Sequence, residues 1–202
     1  MAEEEEAEIV VDINNDLERR IADVFELFDH TGTKKVDIRD IATVLRGLGC
    51  CPTEAEIQEV MVAIEDPKNP DIVHMQTFLP YAAQLITEHK YEPATPDKLL
   101  DAFHVLDPEG HGYLAKDFFM TIMSQDGEPF NEDEIAEMME IAVDPYTQKV
   151  PYEYYINQLM HDPEGEAYIY RLADRVEDER EKTPPPQTFS QVLAAMANTA
   201  DV

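Results

Sequence analysis

An internal repeat constrains this chain more than any other feature. Phe25, Asp29 and Gly32 of "FELFDHTG" recur 78 positions later as Phe103, Asp107 and Gly110 of "FHVLDPEG". The same offset carries Thr53 of "PTEAEI" onto Asn131 of "FNEDEI", and Gly49 onto Gly127. Each half divides again, because Asp66 lies 37 residues beyond Asp29 and Asp144 lies 37 beyond Asp107. One short unit is therefore used four times, and the fold has to be assembled from four similar pieces.

The pieces are helical. Ile21, Val24, Phe25 and Phe28 recur at three and four residues, and so do Ile41, Val44, Leu45 and Leu48, which puts each set on one helix face. Gly49 supplies a stop for the second set. Thr53 with Glu56 has capping-box spacing ahead of Ile57, Val60, Met61 and Ile64. Asn131 with Glu134 repeats that start signal ahead of Ile135, Met138 and Met139. Strand signals shrink to single β-like residues inside the four connecting loops: Val36, Val73, Leu114 and Val150.

Helix, loop of roughly twelve residues with one apolar residue at its eighth place, helix, used in pairs, is the EF-hand arrangement. Over residues 16 to 161 the chain resembles the calmodulin-like EF-hand superfamily, most plainly in "FELFD", "TEAEIQEVM" and "GEPFNEDEIAEMM". The expected fold is all-α: four EF-hand-like helix-loop-helix units in two paired lobes, a Pro-broken linker between them, and a C-terminal helical extension. The expected divisions are an acidic arm over 1–15, an EF-hand pair over 16–90, the linker over 91–97, a second pair over 98–161 and the extension over 162–202.

A calcium loop needs oxygen ligands at positions 1, 3, 5, 7 and 9, a glycine at 6 and a bidentate Glu at 12. In the first loop, "DHTGTKKVDIRD", Asp29, Asp37 and Asp40 fill positions 1, 9 and 12, but Lys34 stands at 6. Lys34 and Lys35 lie between those carboxylates in sequence, so an internal cation is expected to replace the ion there. The second loop, "EDPKNPDIVHMQT", brings no carboxylate to position 12 in either register. The third offers Asp107, Glu109 and Gly112 at positions 1, 3 and 6, then places Phe118 at 12. The fourth is one residue short between Asp144 and Val150 and ends on tyrosine. The metal candidates are thus Asp29, Asp37, Asp40, Asp107 and Glu109; no cofactor is expected, and calcium is disfavoured in every loop.

A paired EF-hand without metal is still a clamp for an amphipathic helix. Candidate groove residues in the second half are Phe119, Met120, Met123, Met138, Met139, Leu159 and Met160, a sulfur-rich set suited to irregular partners. Those in the first half are Val44, Leu45, Leu48, Val60 and Leu79. Fifteen Lys and Arg against 44 Asp and Glu give a formal net charge of -29, which repels phosphate backbones and anionic membranes and suits a basic target helix, for example of the IQ type. Neither nucleic acid nor membrane is an expected partner. "MAEEEEAEIV" has no basic n-region, and nothing approaches the roughly 20 apolar residues of a membrane span, so a cytosolic or connected compartment is expected. Cys50 and Cys51 are neighbours and close no loop. Neither a phosphate-binding glycine loop nor His-Glu-x-x-His is present, and the six histidines lie singly, so no enzyme is indicated.

Pro93 and Pro96 of "HKYEPATPDKLL" are expected to break and bend the connection between halves. Together with "LGCCPTEAEI" and "DPYTQKVPYEYYI", this linker is similar to that of the EF-hand subunit, the eighth, of the axonemal nexin-dynein regulatory complex. The resemblance implies a non-catalytic structural subunit of a cilium or flagellum, cytoskeletal in location, that holds a partner subunit's helix and contributes to control of dynein-driven motility. A calcium-sensing calmodulin-like regulator and a myosin-type light chain are the alternatives. In the extension, Ile169, Leu172 and Val176 form one helical stripe and Phe189, Val192, Leu193 and Met196 another. Docking on the chain's own groove, contact with another subunit and fraying all remain open for them.

Overall fold

Side-chain capping sets where several of the helices start. The Asn15 side chain accepts the Glu18 N–H at 2.8 Å and opens α1 (Asp16–Glu26). Complete capping boxes, Thr53 with Glu56 and Asn131 with Glu134, open α3 (Glu54–Ile64) and α7 (Glu132–Ala142). The structure, a computed structural model, describes residues 11–161 and 169–182. The acidic run at 3–6 and the stripe of Phe189, Val192, Leu193 and Met196 lie outside the described residues.

Termination is as local as initiation. α2 (Ile41–Gly47) ends with Gly49 at φ 90, so that the Cys50 N–H reaches the Leu45 carbonyl at 3.1 Å and the Gly49 N–H that of Arg46 at 3.0 Å, a Schellman closure. α4 (Met75–Thr87) closes in the same way, the Lys90 N–H donating to Leu85 at 2.9 Å and the His89 N–H to Ile86 at 3.0 Å. There the left-handed residue is His89, at φ 54, which takes this conformation at a cost glycine escapes. Pro80 lies inside α4 and was not anticipated from the sequence; it removes one main-chain bond from an otherwise well-buried helix.

The connection between the halves is broken, but not by a kink at Pro96. Pro96 does not kink a continuing helix; it is the first residue of α5 (Pro96–Leu106), behind Thr95, whose hydroxyl accepts the Lys98 N–H. A proline fits there because the N–H it lacks would have had no helical partner. The break therefore comes from the end of α4 at Thr87, and residues 88–95 are non-helical.

Four short strands tie the loops in pairs. β1 (Lys35–Asp37) runs antiparallel to β2 (Ile72–His74), with Val36 opposite Val73. β3 (Leu114–Ala115) runs antiparallel to β4 (Lys149–Val150), with Leu114 opposite Val150. Val36, Val73, Leu114 and Val150 are the β-like loop residues picked out by position. The remaining helices among the described residues are α6 (Lys116–Gln125), α8 (Tyr152–Leu159) and α9 (Ile169–Lys182).

Two hydrophobic cores form around these ribbons. The first joins α1, α2, α3 and α4 through Ile21, Phe25, Leu45, Ile64 and Phe78, and Phe25 and Phe78 stand 5.2 Å apart. The second is smaller and aromatic: Phe103 stacks on Tyr152 at 5.3 Å and meets Phe119 at 5.8 Å. A polar bridge crosses between the halves, from the Glu54 N–H in the first turn of α3 to the Glu128 carboxylate at 2.9 Å. An acid at a helix N-terminus is favourably placed against the helix dipole.

Candidate functional site

The first aspartate of each loop spends its carboxylate on its own loop. Asp29 Oδ2 accepts the Lys34 N–H at 2.6 Å, while Oδ1 accepts from the Thr31 N–H and hydroxyl and from the Thr33 N–H. Burial pushes this carboxyl up, but those donors outweigh it and hold it below the usual range. Asp66 accepts from the Lys68 N–H at 2.9 Å, and Asp144 from the Tyr146 N–H at 2.9 Å and the Thr147 hydroxyl at 2.9 Å. Asp107 is the most enclosed of the four. Burial raises its carboxyl, yet the amides of His111 and Gly112, the His111 ring and the Tyr152 hydroxyl bring it down to about 2.

The proposed metal ligands are not gathered. Asp37 is turned to the Arg39 guanidinium, at 2.5 Å, and that bond together with the Arg39 N–H brings its carboxyl to about 2. Asp40 lies at the start of α2 with no capping bond from its side chain. Glu109 faces the His111 ring, which also meets Asp107, each at 3.2 Å. Among the described residues no three His, Cys, Asp or Glu side chains form a metal-holding group. The internal cation expected in the first loop is elsewhere: the Lys34 ammonium pairs with Glu26 on α1, and Lys34 serves the loop through its backbone N–H, at φ 59.

The groove residues divide by half. Val44, Leu45, Leu48, Val60 and Leu79 are all buried in the first core, so they do not line an accessible groove. Periodicity identified their face but not what covers it. In the second half Phe119 is buried, Met123, Met138, Met139 and Met160 are half-buried at the rim of the core, and Met120 and Leu159 are exposed. Sequence reasoning missed further apolar residues there: Phe118 is 47% exposed, Ile141 58% and Phe130 42%. Between residues 98 and 161 the only Lys or Arg residues are Lys98, Lys116 and Lys149, against thirteen Asp and Glu. The second half thus combines half-buried methionines at the rim of its core, several exposed apolar side chains and a strongly negative surround.

The first half owes its closure partly to α9. Ile169, Tyr170 and Ala173 enter the first core, with Leu172 and Val176 packed at its edge, along α1 and α4. The Tyr170 hydroxyl donates to the Lys90 carbonyl at 2.7 Å and lies against the Cys50 thiol. Asp174 holds the His89 ring at Nε2, 2.8 Å away, and Glu92 meets Nδ1 at 3.3 Å. The Cys51 N–H donates to the Tyr91 carbonyl at 2.7 Å. The paired cysteines and the Lys90-Tyr91 dipeptide, distant in sequence, therefore meet where α9 docks. His89, Tyr170 and Asp174 carried no sequence signal for this role.

Helix pairs joined by short antiparallel ribbons, with loops of EF-hand pattern, define an EF-hand, calmodulin-like protein. No family model matches the chain. It is 40% identical over 162 residues to dynein regulatory complex protein 8 of Mus musculus, covering 80% of this chain and 99% of that one, and it belongs to the dynein regulatory complex protein 8 family. In fold it is similar to the Physarum polycephalum myosin II regulatory domain, with TM-score 0.58 and 25% identity over 72% of this chain and 96% of that one. It is also similar to a structure of Mlc1p bound to IQ2 of Myo2p, a class V myosin, with TM-score 0.57 and 20% identity, covering 69% of this chain and 96% of that one.

Proposed function

We propose that this chain is a non-catalytic subunit of the nexin-dynein regulatory complex in the axoneme of cilia or flagella, where it clamps a basic amphipathic helix of a neighbouring subunit without calcium and contributes to control of dynein-driven motility. Its four EF-hand-like units work as two paired lobes, and the second lobe takes the helix. The observation that carries this reading is the second half's half-buried methionines, Met123, Met138, Met139 and Met160, at the rim of its core, with Phe118, Met120, Ile141 and Leu159 exposed in a negative field. Family membership supports the assembly, and the likeness to a fold seen on an IQ segment supports the helical partner.

Calcium independence rests on chemistry. Each first-position aspartate is already satisfied by loop amides or hydroxyls, and position 12 of the third loop, where a bidentate acid would clamp the ion, is Phe118. The test is to add the tagged chain to axonemes stripped of this subunit, in excess chelator. Saturable rebinding is expected, together with at least a tenfold loss on Met123→Asp with Met139→Asp. Rebinding that requires calcium, or that ignores both substitutions, overturns the proposal.

A further inference from the structure

One amphipathic helix already sits on this molecule. Ile169, Leu172, Ala173 and Val176 of α9 fall at i, i+3, i+4 and i+7, the anchor spacing with which a helix lies in an apolar groove. They meet α1 and α4 of the first half, and the mixed-charge remainder of α9, including Arg175, Asp178 and Arg180, faces water. A polar latch at one end, Tyr170 to Lys90 and Asp174 to His89, fixes the register.

The halves then differ in a way their common repeat does not require. The first has a covered face and only scattered exposed apolar residues, such as Leu27 and Val62. The second has no such cover among the described residues and leaves Phe118, Ile141 and Leu159 in water. We propose that the α1/α4 face of the first half is a helix-binding site which the chain keeps filled with its own α9, and that releasing α9 opens it to an external amphipathic helix. This deepens the clamp proposal by adding a masked second site and by giving a reason why the partner engages the other half first. A helix on the same chain rebinds intramolecularly, at a raised effective concentration, so a weaker or more dilute external helix does not displace it. α9 is replaceable in principle because a helix of this length is marginal alone and owes its order to the surface beneath it.

The probe is a synthetic amphipathic peptide with leucines at i, i+3, i+4 and i+7 and lysines elsewhere, titrated in chelator. In the full-length chain carrying Met123→Asp and Met139→Asp, the second half is disabled and little binding is expected. Adding Ile169→Asp and Ala173→Asp to that chain should restore binding of one peptide, at least tenfold tighter than before the release. Failure to regain binding, with helix content and cooperative melting retained, overturns the masked site. If those aspartates unfold the first half, Tyr170→Phe with Asp174→Lys loosens only the latch; a tenfold gain in that background supports the proposal and no gain overturns it. The parent chain reports on the clamp proposal separately, because its binding depends on the second half and the regained binding does not.

Discussion

At the scale of single residues, the loops stay ordered by backbone amides and one apolar bridge. Lys34 illustrates this: its ammonium leaves the loop for Glu26, and its N–H supplies the shortest bond to Asp29. Because Lys34 sits at φ 59, Lys34→Gly relieves strain of about 1 kcal/mol. It forfeits a half-exposed ion pair worth under about 1 kcal/mol. Chemical denaturation should therefore show the variant as stable as the parent or slightly more so, and a clear loss would mean the ion pair dominates. Combined with Asp40→Glu, the same change should bring calcium affinity into the roughly millimolar range of weak EF-hands, readable by calorimetry; a silent titration would show that Thr31 and Thr33 disable the loop by themselves. Val36 is fully enclosed opposite Val73, so Val36→Asp buries a carboxylate and should destabilise the first half by about 3 kcal/mol. Melting like the parent would refute the bridge as an organiser. These bridge residues were legible in the sequence, as the β-like residue near the eighth place of each loop. The fate of the loop aspartates was not, because local hydrogen bonds to backbone amides leave no mark on composition or spacing.

At the scale of elements, α9 and the linker show what periodicity conveys and what it omits. The stripe of Ile169, Leu172 and Val176 announced a helix with an apolar face, and the capping boxes placed α3 and α7 to the residue. Nothing in the stripe said that α1 and α4 would cover it, since a docking surface belongs to two segments and a repeat pattern to one. Pro96 was legible as a breaker but not as a helix start, because the same fixed φ serves both ends of a break. The α9 latch also carries a pH dependence. The bonds from Asp174 first and Glu92 second hold the His89 imidazole above its usual value. A group whose pKa is raised on folding lends stability fully below its unfolded value, near 6.5, and loses it as pH rises through the folded value. The charged groups facing the ring are Asp174 from α9 and Glu92 from the linker, both acidic, and the Tyr170 ring lies 5.5 Å away. Docking of α9 should therefore weaken from pH 6 to pH 8.5, seen as faster amide exchange in α9. In His89→Gln the profile should be flat; an unchanged profile in that variant would place the titration elsewhere.

At the scale of the whole molecule, the repeat was readable as four similar units, yet their products are unequal. One half is closed over a large aliphatic core with α9 in place, and the other is small, aromatic and open. Equal sequence spacing concealed this, because Val44, Leu45, Leu48, Val60 and Leu79 look like groove residues until the helices close over them. The proposed division of labour assigns partner binding to the open half and needs no metal to open it. Isothermal titration of the full-length chain with a lysine-rich amphipathic peptide, once in excess chelator and once in millimolar calcium, tests that claim most directly. The account predicts equal affinity in both, lost by at least tenfold in the Met123→Asp and Met139→Asp chain; binding that appears only with calcium would contradict it.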